Sequence, residues 1–240
     1  MTTATATAAL EIDGLTAGYG GVPAVRELRA TVREGEILAL LGPNGAGKST
    51  SLLACVGAVP AMSGTVRTFG TPIDKRIERN ARRGVTLVPD NRGIFHALTV
   101  AENLRLARRK GGADLDATLD HFPKLRGLQN RRCGLLSGGE QQMLALAKAL
   151  LTKPRVLLVD EMSLGLSPIA VQDLLPTLRG IADSQQMAVV LVEQHIDLAL
   201  SIADWAIVLH HGRVALSGSA QQLQRDRAAV EAAYFGLSAT

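Results

Sequence analysis

Two kinds of hydrophobic pattern follow one another along the chain. Near the start, residues 11–15 and 26–32 alternate polar and apolar side chains around a glycine-rich turn at residues 18–21, the pattern of an antiparallel hairpin. Beyond it the apolar runs become continuous. Residues 37–41, bounded by Gly35 and Gly42, and then residues 84–88, 156–160 and 188–193 read as strands buried on both faces of a parallel sheet. Helical stretches separate these runs, beginning with residues 49–59, so the chain reads as α/β with a doubly wound sheet.

Between the strands at 84–88 and 156–160 lies a long insertion, about residues 92–151. It has helical periodicity at 100–110, 115–121 and 140–151, which predicts a separate helical lobe. Arg105, Arg108, Arg109 and Lys110 read as a solvated helix face. Residues 206–209, a His211-Gly212 turn and residues 213–216 predict a late hairpin, and residues 220–235 a helical tail. No repeat, coiled-coil heptad or interdomain linker interrupts this order.

Composition narrows the class. The 240 residues suffice for a full α/β domain, and 47% hydrophobic with 20% charged residues excludes a disordered chain. Four Phe, two Tyr and one Trp leave few platforms for base stacking, so single-stranded nucleic acid is not an expected partner. The net charge of +4 suits a phosphate-rich ligand or an anionic membrane surface without demanding either. Cys55 and Cys133 form no CxxC pair, so free cytosolic thiols are expected rather than a zinc site or a disulfide. Residues 1–10 lack a basic segment and a sustained apolar one, and read as a frayed tail rather than a signal peptide. No apolar run approaches the ~20 residues of a membrane span. A role at a membrane would be that of a peripheral subunit.

The chemistry concentrates in three motifs. Gly42-Pro43-Asn44-Gly45-Ala46-Gly47-Lys48-Ser49-Thr50 sits between a buried strand and a helix start, the context of a P-loop. Its glycines permit positive φ and expose successive backbone N–H groups, the helix N-terminus adds positive potential, Lys48 offers an ammonium, and Ser49 a hydroxyl for Mg²⁺. A merely capped glycine-rich turn would not fill every fixed position. Val156-Leu157-Leu158-Val159-Asp160-Glu161 is an apolar strand ending in two carboxylates at the edge where open parallel sheets bind ligands. Neighbours on a strand point to opposite sides, which predicts separate tasks: Asp160 for the Mg²⁺ shell, and Glu161 as general base on the attacking water. Leu136-Ser137-Gly138-Gly139-Glu140-Gln141-Gln142 opens a helix, with Ser137 and Glu140 at capping-box spacing. Capping does not explain two successive glycines, which suggest close approach of an anion to the backbone.

In their order along the chain, P-loop, the 136–142 stretch and then the 156–161 strand, the three motifs resemble the nucleotide-binding subunit of ABC transporters, over nearly the whole chain. The resemblance implies a P-loop NTPase fold with a RecA-like parallel sheet, an N-terminal antiparallel β region and an inserted helical lobe, all in one domain over residues 1–240. It implies head-to-tail pairing that sandwiches two ATP molecules, each between the P-loop of one subunit and the Ser137-Gly138-Gly139-Glu140 helix of the other. Tyr19 then matches the aromatic that stacks on adenine, and His195 the switch histidine that senses the γ-phosphate and helps orient Glu161. Asp90, matched to the residue that watches Mg²⁺ and the attacking water, stands where the family generally has Gln. Met162 replaces the usual Pro after the base, and Ser167 the usual Asp of the loop that crosses the dimer interface.

The acidic residue after Val88-Pro89, Glu140-Gln141-Gln142-Met143-Leu144, Ser163-Leu164-Gly165-Leu166, Val192-Glu193-Gln194 and Ala233-Tyr234-Phe235-Gly236 are similar to the LivF-type ATPase of the branched-chain amino acid importer subfamily. That implies an ATPase at the cytoplasmic face of the membrane, paired as a homodimer or with a LivG-like sibling. Its other partners would be integral-membrane permease subunits and, indirectly, an extracellular or periplasmic solute-binding protein. The cargo would be a branched-chain or other amino acid or a related small polar solute. Ile94, Phe95 and Leu98 are expected either to dock the permease or to fill the lobe core. A soluble ABC-type clamp acting on a macromolecule is the rival reading, and a P-loop kinase a further one. Clamps of that kind usually carry paired cassettes, coiled-coil arms or basic extensions, none of which this sequence holds.

Overall fold

The computed structural model describes residues 8–237. Strands β1 (Ala8–Tyr19) and β2 (Val22–Arg33) form the expected hairpin, closed at Gly20 and Gly21, both at positive φ. It is longer than the alternation indicates. Of the stretch expected to fray, Ala8, Ala9 and Leu10 belong to β1, where a fully buried Leu10 pairs with Val32 and Thr68. Residues 1–7 lie outside the described residues.

Strand β3 (Ile37–Leu41) leads through the P-loop into helix α1 (Lys48–Cys55), which stops short of residue 59 because Gly57, at φ 81°, turns the chain. Strands β4 (Ala61–Thr68) and β5 (Thr71–Pro72) then complete an antiparallel sheet in the order β2-β1-β4-β5. The hydrophobic pattern missed both, since β4 buries only Val66 and Thr68. Helix α2 (Ile77–Arg82) and strand β6 (Val85–Val88) follow.

The segment between β6 and the next strand carries α3 (Val100–Ala107), α4 (Leu115–Asp120), 3₁₀ turns at Pro123–Leu128 and Cys133–Leu135, and α5 (Gly138–Leu151). Helix α3 ends before residue 110, at an extended Arg108. Beyond it the Arg109 guanidinium donates to the carbonyls of Ala81 (3.0 Å) and Thr152, tying the loop to α2. The expected solvated helix face therefore retains only Arg105.

Next come β7 (Val156–Asp160), α6 (Pro168–Gln185), β8 (Ala188–Glu193), α7 (Ile196–Ile202), β9 (Trp205–His210) and β10 (Arg213–Ser219). The expected helical tail is two helices, α8 (Ala220–Arg225) and α9 (Arg227–Phe235), separated by Asp226, whose carboxylate accepts from the Ala229 N–H at 3.2 Å.

The larger sheet runs β10-β9-β3-β8-β7-β6, parallel except for β10. Along β7 the buried residues divide between two cores, which is why its run is continuous rather than alternating. Val156 and Leu158 face α1 and the antiparallel sheet, while Leu157 and Val159 face α5 and α6. Strand β8 lies between β3 and β7, so the P-loop strand and the Asp160 strand are not neighbours. Both cysteines are free and buried, and burial pushes the Cys55 thiol up to about 12. Among the described residues no helix is long and apolar enough to cross a membrane.

Candidate functional site

The site begins at the carboxyl end of β3. Gly42 (φ 146°) and Gly47 (φ 98°) are held against other parts of the chain: a Cβ would meet the Leu209 carbonyl oxygen at 2.3 Å from Gly42 and that of Ala24 at 2.5 Å from Gly47. Only glycine fits such backbone approaches. Gly45 also has positive φ but faces open space, and Asn44 is exposed beside it. Ala46 is buried, its N–H donating to the Pro43 carbonyl at 3.2 Å. Helix α1 then starts at Gly47 with no side-chain cap and no acidic residue in its first turn, leaving an uncapped positive end.

Lys48 is buried and its Nζ donates to the carbonyls of Gly42 (2.8 Å) and Pro43 (3.0 Å). Burial holds its ammonium below the usual lysine range, while the charges of Glu161, Asp160 and Glu193 work the other way. Ser49 is exposed and Thr50 buried. Across the cradle stands Asp160, 8% exposed, whose Oδ1 is the one buried side-chain polar atom among the described residues without a hydrogen-bond partner. Burial raises its carboxyl pKa, the Ser49 hydroxyl opposes that rise, and the charges of Glu161 and Asp90 add to it. An orphaned carboxylate oxygen beside a hydroxyl is a donor set that fits a hard cation. Among the described residues no three His, Cys, Asp or Glu side chains gather to hold a metal alone. Asp90 is exposed at the end of β6, its Oδ1 accepting from the Asn91 N–H at 2.7 Å.

Two expectations are corrected here. Asp160 and Glu161 are not separated by strand alternation: β7 ends at Asp160, and Glu161 sits in the left-handed region at φ 49° while its N–H donates to the Val192 carbonyl (3.0 Å). The side chain bonded to Glu161 is Gln194, whose Nε2 donates to Oε1 at 2.7 Å. Its neighbour His195 is exposed at the start of α7, in a cleft shared with Asp197, Arg227 and Tyr234. Finally, the paired glycines do not require an anion. A Cβ on Gly138 would lie 2.8 Å from the Gly165 carbonyl oxygen, and one on Gly139 would lie 2.9 Å from Ala170 Cβ, so packing against the 161–167 loop and α6 demands both.

The capping box does form: the Glu140 N–H donates to Ser137 Oγ (3.3 Å) and the Ser137 N–H to Glu140 Oε2 (2.8 Å). Tyr19 is 58% exposed at the tip of β1. Of the three residues considered for docking, Ile94 belongs to the core that the inserted helices share with the parallel sheet, Leu98 is half-buried, and only Phe95 presents its ring to the surface.

One carboxylate gained a role that the sequence did not suggest. Glu193, 1% exposed at the end of β8, accepts from the Ser163 N–H (2.8 Å) and hydroxyl (2.6 Å), anchoring the loop that follows Glu161. Burial raises its pKa against the pull of those two bonds. Its signal was an acid closing an otherwise apolar strand.

Comparison with known proteins fits this geometry. Residues 25–163 match the ABC transporter family. The chain is 38% identical to the high-affinity branched-chain amino acid transport ATP-binding protein BraG of Pseudomonas aeruginosa, over 86% of this chain and 91% of that protein. It is 37% identical to a probable branched-chain amino acid transport ATP-binding protein, LivF, of Archaeoglobus fulgidus, over 87% and 91%. The phosphonates import ATP-binding protein PhnC of Trichormus variabilis is 37% identical, over 90% and 95%. The structure of CbiO1 from Clostridium perfringens, part of the ABC transporter complex CbiONQ, has the same fold, with a TM-score of 0.82 at 24% identity over 92% of each chain. The chain belongs to the ABC transporter family, as an ATPase subunit of a transporter.

Proposed function

We propose that this ATPase energises import of a branched-chain or other amino acid, or a related small polar solute. In this reading it works from the cytoplasmic face of the membrane, beneath a permease fed by an extracellular or periplasmic binding protein. Residues 1–240 act as one nucleotide-binding domain, with residues about 92–151 as its helical lobe. The amino-acid relatives support the cargo class, and the LivF-like stretches point the same way.

In this assignment the amides of residues 44–50 and the Lys48 ammonium bind the ATP phosphates, and Tyr19 stacks on adenine. Ser49 and Asp160, with Asp90 nearby, hold Mg²⁺, which when bound neutralises charge on the phosphates. Glu161 takes the proton of the attacking water, held in place by Gln194. His195, exposed in the cleft at the start of α7, is assigned to sense the γ-phosphate. The Ser137-Gly138-Gly139-Glu140 tip completes the site of a second ATPase subunit, a twin or a LivG-like sibling. Closure with ATP and release after hydrolysis then populate two states in turn, and the permease follows.

The observation that carries the nucleotide assignment is the orphaned Asp160 Oδ1, on a carboxylate beside Ser49 at the uncapped start of the P-loop helix. Glu161→Gln tests it: turnover should fall by about a hundredfold or more while ATP-dependent dimers accumulate. Turnover near the wild-type rate would remove Glu161 from the role of base. Purification with its permease and binding protein, followed by ligand binding to the latter, decides the cargo.

A further inference from the structure

Arg92 lies in none of the motifs that define the family, yet it bonds to one of them and to the loop that follows another. Its backbone is at φ 65° and its N–H donates to the Pro89 carbonyl at 2.8 Å, closing the turn that carries Asp90. From there the guanidinium reaches across the molecule. Nη1 donates to Gln141 Oε1 (2.7 Å), Nε to Gln142 Oε1 (3.2 Å) and Nη2 to the Leu164 carbonyl (2.9 Å). The first two acceptors belong to the glycine-tipped helix α5, and the third to the loop after Glu161. Among the described residues no carboxylate pairs with Arg92, so its donors are all directed at neutral acceptors. The far side of the turn is held as well, since Lys148 Nζ donates to the Gly93 carbonyl at 2.6 Å.

Three acceptors in different directions suit a planar fork of five N–H groups and not a single ammonium. The chain also has no Pro at position 162 to stiffen the loop, and Met162 there is fully buried. We propose that Arg92 is a positioning residue: it locks the turn of Asp90, the N-terminus of α5 and the 161–167 loop into one body, so that the tip offered to the partner's nucleotide and the loop beside Glu161 move together. This rests on the assignment of Glu161 as base and of the α5 tip as the half-site for a second subunit.

The test uses the full chain, with Arg92→Ala and Arg92→Lys. Because Arg92 does not touch the P-loop, Arg92→Ala should lower kcat about tenfold with KM for ATP within about twofold, and methylguanidinium added to the buffer should restore part of kcat. Hydrogen exchange gives a second, independent reading. In Arg92→Ala the amides of Gln141, Leu164 and Leu166, which close local turns, should exchange about tenfold faster while those of β3 and β7 stay unchanged. Arg92→Lys should protect one end of the clamp and leave the other fast. Wild-type exchange at these three amides, a KM rise equal to the kcat loss, or equal acceleration throughout β3 and β7 would each overturn the assignment. Exchange needs no turnover, so it decides Arg92 even if hydrolysis by Glu161 fails its own test.

Discussion

The two halves of the site are built in opposite ways. The P-loop is contiguous: nine consecutive residues, Gly42 to Thr50, supply the backbone cradle, the ammonium and the hydroxyl. The facing half is assembled from the turn at 89–93, the tip of α5, the 161–167 loop and the end of β8, joined by side-chain bonds spanning 30 to 72 residues. A contiguous cradle needs few outside partners, apart from the two backbones that press on its glycines. An assembled half is only as rigid as its bridges. It is therefore the half suited to move relative to the other, and the half in which single substitutions should act at a distance.

The largest expected effect breaks the cradle itself. Gly47→Val drives a branched side chain at φ 98° into the Ala24 carbonyl, and should cost more than about 4 kcal/mol, read as a collapse of the thermal midpoint and loss of ATP binding. Gly45→Ala, which meets open space, should keep most of that stability, because only its φ is strained.

Next in size is a break in the assembled half. Glu193→Ala leaves the buried Ser163 N–H and hydroxyl without acceptors and should cost about 3 kcal/mol in urea unfolding. Turnover should fall more than ATP affinity, because the loop beside Glu161 loosens while the P-loop stays intact. Equal losses of both would mean that the halves are not mechanically distinct.

The smallest effect has the opposite sign. Asp160 is raised above the ordinary carboxylate value by burial, so the folded state binds its proton more tightly than the unfolded chain does. Its contribution to stability is present at pH below the unfolded value and is lost as pH rises through the folded one. Asp160→Asn should remove that loss, raising the thermal midpoint of the nucleotide-free chain at neutral pH by about 2–4 °C and flattening its dependence on pH, while abolishing hydrolysis. A lower midpoint at neutral pH would show that the ionised carboxylate is already compensated.

Much of this was legible from the chain alone. Strands β3, β7 and β8 matched their apolar runs residue for residue, because burial on both faces leaves no polar position to blur the limits. The P-loop was legible because a phosphate cradle is made of neighbours. By contrast, β4 carries mostly exposed side chains and so no periodic signal. The glycines at 138 and 139 suggested an anion when the nearer cause was Gly165 and Ala170, residues with no recognisable spacing from them. The bond from Gln194 to Glu161 was not legible, because it depends on how the end of β8 returns beside the loop after β7.

The sequence by itself determined the α/β class, the P-loop, the adjacent carboxylates at the end of β7 and just beyond it, and the capped tip of α5, since each depends on residues near one another in the chain. The tertiary structure alone decided the strand order that puts β8 between β3 and β7. Only that order places Glu193 and Gln194 beside the loop of Glu161, and only the return of the 89–93 turn onto α5 gives Arg92 its acceptors. The reason is physical: backbone pairing and long-range side-chain bonds are selected by how whole layers pack, and distant partners leave no period in the sequence to announce them.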